Sequence, residues 1–310
     1  LQEWGNPLAL LKFNGLSFIS KIRYGIHAFT STRRSSWGSL DELSAKEWII
    51  KWVGEEAYNI LWRKLFEYKF YHFSDTISAA WIWSRIRRLG NSRYNIFREK
   101  LGYLEGGSET LLNALKDNIL SNGGEINLST PIKQVQLKND KVSGLQTENN
   151  FFKFENVIST IPLPYIPKII PELPVKILEK YRNIKNIAVV CVIAKLSEKV
   201  SENFWVNVND PEMDIPGFVE YSNLRPLQNN ILYVPFYMPG EHPYYDKPDS
   251  FFINKVKTYF KKINSRIDES KFIDIRASRY RFAQPICEIN FLDQLPPIDL
   301  PIEGLYVADT

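Results

Sequence analysis

The feature that most constrains the fold is a helix enclosed between two glycine pairs, GGSETLLNALKDNILSNGG, at residues 106–124. Ser108 is expected to cap its N-terminus, Glu109 suits the positive end of the helix dipole, and Gly123 is expected to end it in the left-handed conformation. The EINLST segment that follows, residues 125–130, predicts a strand. The apolar stripe of the helix comprises Leu111, Leu112, Leu115, Ile119 and Leu120. Such a helix-to-strand unit is typical of α/β sheets.

Three strands of an antiparallel meander are predicted next, in IKQVQLK, KVSGLQTE and FFKFE, with Asn139 and Asp140 in the first turn. NVISTIPLP, residues 156–164, is a short apolar strand that stops at prolines. This pattern is typical of a buried parallel strand that delivers its carboxyl end to a ligand. GLYVADT, residues 304–310, predicts another buried apolar strand.

Helical periodicity dominates residues 8–90, whereas residues 185–300 alternate as antiparallel strands around one amphipathic helix near 250–264. The alternating segments are NIAVVCVIAKL, FWVNV, GFVEYS, ILYVPFYM and FIDIRASRYRFAQP. The predicted fold class is therefore α/β with an α+β insertion, whose sheet pieces come from separated parts of the chain.

The formal net charge of +4 over 310 residues is too small to indicate nucleic-acid binding, but the charge is unevenly distributed. Residues 1–100 hold 16 Lys and Arg against 9 Asp and Glu, and seven of the eight tryptophans. A basic, Trp-rich segment can lie on a membrane surface or bind single-stranded nucleic acid. The simpler interpretation is a helical domain with tryptophans in its core, so no nucleic-acid partner is expected and membrane contact is the alternative. RIRR, residues 85–88, fits a solvated helix face, with a phosphate or acidic lipid as its alternative partner.

No pattern supports metal, disulfide or hydrolase chemistry. Cys191 and Cys287 are far apart in sequence and form no ligand or disulfide framework, which fits a cytoplasmic protein. His27, His72 and His242 have no acid or cysteine at ligand spacing, so no metal site is expected. The GxSxG, HExxH and GxxxxGK[ST] motifs are absent, and no apolar run approaches the roughly 18 residues of a spanning helix.

The order of the motifs resembles the flavin-dependent amine oxidase superfamily, which includes protoporphyrinogen oxidases, phytoene desaturases, monoamine oxidases and UDP-galactopyranose mutases. The sequence is most similar to protoporphyrinogen-oxidase-like bacterial oxidoreductases. The segments that carry this resemblance are SAKEWIIKWVGEEAYNILW, KLGYLEGGSETLL, FVEYSNL and LPIEGLYVADT, and it extends over nearly the whole chain.

The resemblance implies a partial FAD-binding, Rossmann-like domain and a substrate domain of helices and antiparallel sheet. Residues 1–101 would be the helical part of the substrate domain and 166–300 its sheet part. Residues 102–165 would be a partial FAD-binding domain with the meander, and 301–310 its terminal strand.

The resemblance also implies site residues. The cofactor-binding positions would be Gly106 and Gly107 near the flavin ring, Ile132 at the adenine, Thr160, Ile161 and Pro162 along the cofactor, and Ala308, Asp309 and Thr310 in the loop that meets the pyrophosphate, ribityl chain and ring. Thr110 and Tyr221 would lie on the substrate side. A purely conformational reason for the glycines, an entry turn to the helix, remains the alternative.

The sequence departs from the family pattern in several places. The GxGxxG turn that binds the pyrophosphate is absent, as is the helix that follows the terminal strand. Because the chain begins at Leu1 and stops within a predicted strand, we expect a piece of a longer protein that binds FAD weakly or not at all. Monoamine oxidases have a lysine where Val189 aligns, and Lys195 is six residues away from that position.

The expected function is that of an FAD-dependent oxidoreductase, which takes a hydride from a small-molecule substrate next to nitrogen or in a conjugated carbon skeleton. Because the cofactor carries the redox chemistry, no catalytic acid or base stands out. A flavin-dependent nucleotide-sugar mutase is a second hypothesis, motivated by the basic first hundred residues. A non-catalytic binding module is a third.

Overall fold

The computed structural model describes residues 7–95, 98–99 and 102–309, so Thr310 lies outside the described residues. The described helices are α1 (Pro7–Lys12), α2 (Phe18–Arg33), α3 (Gly38–Asp41), α4 (Ala45–Val53), α5 (Glu55–Leu61), α6 (Arg63–Phe70), α7 (Ala79–Asn91), α8 (Ser108–Ser121), α9 (Ile166–Ile169), α10 (Val175–Asn183), α11 (Asp249–Ile263) and α12 (Phe291–Gln294). The described strands are β1 (Arg93–Asn95), β2 (Arg98–Glu99), β3 (Gln134–Lys138), β4 (Lys141–Gln146), β5 (Phe151–Lys153), β6 (Val157–Ser159), β7 (Asn186–Leu196), β8 (Trp205–Asn207), β9 (Gly217–Glu220), β10 (Asn230–Pro239), β11 (Phe272–Pro285) and β12 (Leu305–Val307).

The chain divides into two compact units, each built from two segments. The first unit comprises Leu1–Leu101 and Asn186–Leu292, and the second comprises Gly102–Lys185 and Asp293–Thr310. The division predicted from the sequence has different bounds. It assigns residues 166–185 and 293–300 to the sheet part of the substrate domain, whereas in the structure they belong to the second compact unit. The reason is local packing: α9 contacts β3, and α10 contacts α9.

Helices α1 to α7 of the first unit enclose an aromatic core. Trp48 and Trp83 are buried there together with Phe66 and Phe70. The indole N–H of Trp83 donates a hydrogen bond of 2.9 Å to the carbonyl of Ser31, so its polar atom is satisfied. These two tryptophans are core residues, as the simpler interpretation of the sequence predicts, whereas Trp37 and Trp52 are 48% and 37% exposed and depart from it. None of the helices in the described ranges is long and apolar enough to cross a bilayer.

The first unit also contains an antiparallel sheet of strand order β11-β7-β10-β9-β8. β7 is paired along its length with β10 on one side and β11 on the other. Its alternate residues, Ala188, Val190, Val192, Ala194 and Leu196, are buried in a core with the apolar face of α11. The predicted antiparallel strands and the helix between them are therefore confirmed.

The second unit holds the meander β3-β4-β5 and the pair β6–β12, which is parallel. Asn139 and Asp140 have positive φ values of 52° and 57°, as a two-residue hairpin turn with right-handed strand twist requires. The meander and the strand in NVISTIPLP are confirmed, and GLYVADT forms the partner strand β12.

Two expectations for the glycine-flanked helix are wrong. Residues 125–130 are not a strand, because no described strand runs beside them, and Leu128 is 83% exposed. The N-cap of α8 is Gly107 rather than Ser108, which is the first helical residue. Gly123 has a φ of 79° and ends the helix as predicted. The predicted apolar stripe is between 43% and 63% exposed and packs against no described core.

The buried His27 makes the stability of the first unit sensitive to acid. It is buried between Trp48 and Trp52, with ring centroids at 4.5 and 5.7 Å, and no described group bonds its Nε2 atom. Burial lowers its pKa from 6.5 to about 4. The folded state therefore disfavours the protonated imidazole, so stability is complete above pH 6.5 and falls as the pH drops towards 4.

We expect the free energy of unfolding to fall by about 3 kcal/mol between pH 7 and 4 through His27 alone. Urea unfolding at several pH values measures this change. His27→Phe removes this part of the pH dependence, whereas the matched variant of the exposed His72, His72→Phe, retains it. An equal pH dependence in His27→Phe and the wild type would contradict the assignment.

Candidate functional site

The carboxyl ends of β6 and β12 meet in the second unit. The Ala308 N–H donates to the Ser159 carbonyl at 2.9 Å, which extends the parallel pairing one residue beyond β12. Asp309 accepts a hydrogen bond of 3.0 Å from the backbone N–H of Leu163. Three of the positions implied by the resemblance, Thr160, Ile161 and Pro162, lie in the turn between Ser159 and Leu163. The structure thus brings this turn together with Ala308 and Asp309.

Ser159 is a candidate site residue that sequence reasoning missed. Its side chain is 8% exposed, and no described group hydrogen-bonds to its hydroxyl. A buried hydroxyl without a partner costs free energy unless a ligand or water satisfies it. The residue lies inside the ISTIP segment, but a serine in a strand gives no signal until its burial is known.

The first glycine pair has a conformational requirement of its own. Gly106 and Gly107 have φ values of 81° and 82°, in the region that favours glycine. A Cβ atom on Gly106 would lie 2.2 Å from the Thr110 hydroxyl. That hydroxyl donates a hydrogen bond of 2.6 Å to the carbonyl of Glu105, which closes the turn before α8. Thr110, implied to be on the substrate side, therefore supports the turn.

The other implied residues are distributed as follows. Ile132 is half-buried and immediately precedes Lys133, whose N–H donates to the Gln146 carbonyl at 2.8 Å. Thr310 lies outside the described residues. Tyr221 belongs to the first unit, where it begins a short 3₁₀ helix after β9.

The sheet of the first unit has a second face, opposite α11, that carries the other alternate residues. On this face Val189 is paired with Tyr237 on one neighbour and with Tyr280 on the other. Tyr221 lies edge-on to Tyr233, with ring centroids 6.3 Å apart. Burial raises the pKa of both Tyr233 and Tyr237. The face is therefore aromatic, and the phenols of Tyr233 and Tyr237 are neutral at physiological pH.

A cationic cluster adjoins Tyr237. The Lys69 ammonium is 5.2 Å from the Tyr237 ring and 5.1 Å from the Trp81 ring, and the Arg85 guanidinium is 4.7 Å from that same Trp81 ring. Burial, and then the charges of Arg85 and Arg88, lower the pKa of Lys69 to about 8. No ion pair among the described residues involves these three cations. Such a cluster favours an anion.

The segment FVEYSNL, one of those that carry the resemblance, forms a network of hydrogen bonds with a neighbouring loop. The carboxylate of Glu220 is fully buried and accepts hydrogen bonds from the backbone N–H groups of Val200 and Ser201, at 3.0 and 2.7 Å. The amide of Asn223 donates to the carbonyls of Ser201 and Asn203, at 2.9 and 3.0 Å. These groups fix the loop between β7 and β8. Tyr221 lies between Glu220 and Asn223 in sequence, so these hydrogen bonds also hold its backbone in place.

The cysteines and histidines form no reactive centre in the described ranges. Burial raises the pKa of both thiols, that of Cys287 to about 12, so neither is a thiolate at neutral pH. No group of three His, Cys, Asp or Glu that could hold a metal ion occurs among the described residues.

The second unit fits a bound dinucleotide in two respects. The buried Ser159 hydroxyl needs a partner at the carboxyl end of a parallel strand, where nucleotide cofactors bind in α/β sheets. The glycine pair presents backbone without side chains before α8.

A family model for flavin-containing amine oxidoreductases matches residues 2–249. No curated protein matches the chain in sequence.

Solved structures share the fold. A candidate protoporphyrinogen oxidase from Exiguobacterium sp. 255-15 is 17% identical with a TM-score of 0.67, over 98% of this chain and 70% of that one. Putrescine oxidase bound to putrescine is 12% identical with a TM-score of 0.67, over 96% and 71% of the two chains. A reduced UDP-galactopyranose mutase is 14% identical with a TM-score of 0.63, over 94% and 66%.

The glycine turn before α8 can be tested without any ligand. Gly106→Ala forces a side chain into a left-handed backbone and onto Thr110, so we expect it to lower the free energy of unfolding by about 1–2 kcal/mol. Gly102→Ala is the matched control, because a Cβ atom there meets nothing within 4 Å. Urea unfolding measures both variants. Equal stability of the two would show that the turn does not require glycine at residue 106.

Proposed function

The chain belongs to the flavin-containing amine oxidoreductase family, and we propose that it supplies the substrate-binding domain and part of the flavin domain of an FAD-dependent oxidoreductase. The observation that carries the proposal is the meeting of β6 and β12 at the unpartnered hydroxyl of Ser159. The second unit would hold the cofactor, and the sheet of the first unit would hold the substrate.

In the cofactor site, Ser159 would donate its hydroxyl to FAD. The turn Thr160, Ile161 and Pro162 would line the cofactor together with Ala308, Asp309 and Thr310. Gly106 and Gly107 would leave room beside it, and Ile132 would contact it through its backbone. When bound, the flavin supplies the capacity to accept a hydride from a substrate C–H bond.

The exposed apolar surfaces of the second unit support a larger flavin domain. The apolar stripe of α8 is exposed to solvent, and Ile158 of β6 and Tyr306 of β12 are 70% and 38% exposed. A parallel strand pair is normally covered by helices on both faces. We infer that further parallel-sheet elements, including the turn that binds the diphosphate, cover these surfaces when FAD is bound.

The cationic cluster supports an anionic substrate. Lys69, Arg85 and Arg88 would attract a carboxylate or phosphate and would repel a protonated amine. The neighbouring Trp81 and Tyr237 rings suit a flat, conjugated carbon skeleton. We therefore propose dehydrogenation of a conjugated, anionic molecule, with Tyr221 and Val189 lining the same face of the sheet.

A nucleotide-sugar mutase is the second candidate, because the same cations could bind a sugar diphosphate. The likeness to UDP-galactopyranose mutase makes this alternative specific. The two candidates differ in their electron balance: a mutase catalyses an isomerisation without net oxidation and needs no electron acceptor, whereas an oxidoreductase passes the electrons of its substrate to an acceptor.

We expect the protein expressed from its complete reading frame to purify with flavin absorbance, or to gain it on reconstitution. Ser159→Ala should lower FAD affinity about fivefold to tenfold without lowering the melting temperature, because its hydroxyl has no partner in the apoprotein. Ser143→Ala is the control, since that hydroxyl already donates to the Gln136 carbonyl at 3.0 Å. Quenching of FAD fluorescence measures the affinity. A protein that takes up no flavin would exclude both candidates.

The loaded protein then distinguishes the substrates. Turnover of porphyrinogens or anionic polyenes, measured as flavin reduction under nitrogen, would support the oxidoreductase. Turnover of a UDP-sugar only with prereduced flavin would support the mutase instead. Preferred turnover of cationic diamines would contradict the role given to the cationic cluster.

Lys69→Gln should lower kcat/KM for an anionic substrate about tenfold, through loss of one charge. For the wild type, kcat/KM should fall as the pH rises through about 8, because Lys69 loses its proton there. Lys69→Gln should lose this step in the pH profile. Arg63→Gln is the control, because Arg63 lies on the same helix and is paired with Glu67 at 2.7 Å. A similar loss in both variants would contradict a specific role for Lys69.

A further inference from the structure

Helix α2 of the first unit carries its apolar residues on the outside. Its outward side chains are between 46% and 70% exposed: Phe18, Ile19, Ile22, Ile26 and Phe29. Its buried residues are Ser20, His27 and Ser31. A helix on the surface of a water-soluble domain has the opposite arrangement, with its apolar stripe towards the core.

Specific contacts fix this orientation. The carboxylate of Glu56 accepts hydrogen bonds from the hydroxyls of Ser17 and Ser20 at the start of the helix. Near its other end, the carbonyl of Ser31 accepts the indole N–H of Trp83. Rotating the helix to bury its apolar face would break all of these bonds and expose His27. The outward apolar face is therefore built into the fold.

Helix α1 extends the same surface. Leu8 and Leu11 are more than half exposed, and the Lys21 ammonium donates to the Leu11 carbonyl at 2.8 Å, which ties α1 to α2. We call these two leucines and the five outward residues of α2 the α1–α2 stripe. Isolated apolar residues on a surface are ordinary, but seven on two joined helices mark an interaction site.

The segment that carries the stripe has charges of one sign, and the Glu56 carboxylate at the start of α2 is bonded to Ser17 and Ser20. Residues 7–40 contain no Asp or Glu and five basic residues: Lys12, Lys21, Arg23, Arg33 and Arg34. The Arg33 guanidinium lies 4.4 Å from the ring centroid of Phe29, at the edge of the stripe. Arg23 is engaged with the carbonyls of Lys51 and Trp52. An apolar face with basic flanks is the pattern of a helix that lies in the interface of an anionic bilayer.

We propose that the α1–α2 stripe docks on an anionic lipid surface, with α2 in the plane of the bilayer. A helix of 16 residues is too short to span it. The basic flanks would meet lipid phosphates while the isoleucines and phenylalanines enter the acyl boundary. A second copy of this chain is a poorer occupant, because two such faces would bring like charges together. The proposal does not depend on the enzymatic activity.

Sedimentation with vesicles tests the proposal on the full chain. We expect it to bind vesicles of phosphatidylglycerol and phosphatidylcholine, and to bind pure phosphatidylcholine vesicles at least about tenfold more weakly. The double variant Ile22→Asp/Ile26→Asp should lower the partition coefficient at least about tenfold, because two exposed apolar side chains that would enter the acyl boundary are replaced by charged ones. Ile273→Asp is the matched control, since Ile273 is 51% exposed on β11 of the same unit.

Circular dichroism and the melting temperature establish that each variant is folded. No binding to anionic vesicles would overturn the proposal, as would equal binding by the double variant and the wild type. A dimer in light scattering that the double variant dissociates would assign the stripe to self-association and overturn it as well.

Discussion

The pairing of β12 with β6 is the constraint on which the candidate cofactor site depends. Hydrogen bonds between parallel strands join residues near 157 to residues near 305, and the two carboxyl ends then lie side by side. Gly304 makes this approach feasible: a Cβ atom there would lie 2.0 Å from the Glu155 carbonyl oxygen. The Asp309 carboxylate then holds the Leu163 N–H, 146 positions away in sequence. Everything assigned to cofactor binding at these strand ends follows from this one register.

Most of the strands and the main helix boundaries could be predicted, because they depend on local periodicity and on turn residues such as Asn139, Asp140 and Gly123. Residues 125–130 could not, because a strand exists only where a second backbone pairs with it, and the sequence of one segment does not contain its neighbour. The same reason explains the exposed stripe of α8. Ser159 was missed because its interest arises from burial without a hydrogen-bond partner. Lys69 was missed because its interest arises from the rings and cations that the fold brings around it. Both are properties of the packed chain.

The segment FVEYSNL shows what a recognisable sequence motif can represent. Its Glu220 and Asn223 hold a loop by hydrogen bonds to backbone groups. Burial raises the pKa of Glu220 although three donors from Val200 and Ser201 oppose that shift. A buried, well-bonded carboxylate specifies one arrangement of a loop more than it adds stability. The segment is therefore structural, and only the proposed substrate-side role of Tyr221 would connect it with chemistry.

The alternation of β7 has an evolutionary implication. Successive residues of this strand face either the α11 core or the aromatic surface that carries Val189, Cys191 and Ile193, and both neighbouring strands fix its register. Insertion or deletion of one residue would exchange the two faces over the remainder of the strand. Divergence of this family in β7 should therefore proceed by replacement at every second position, with strand length held constant.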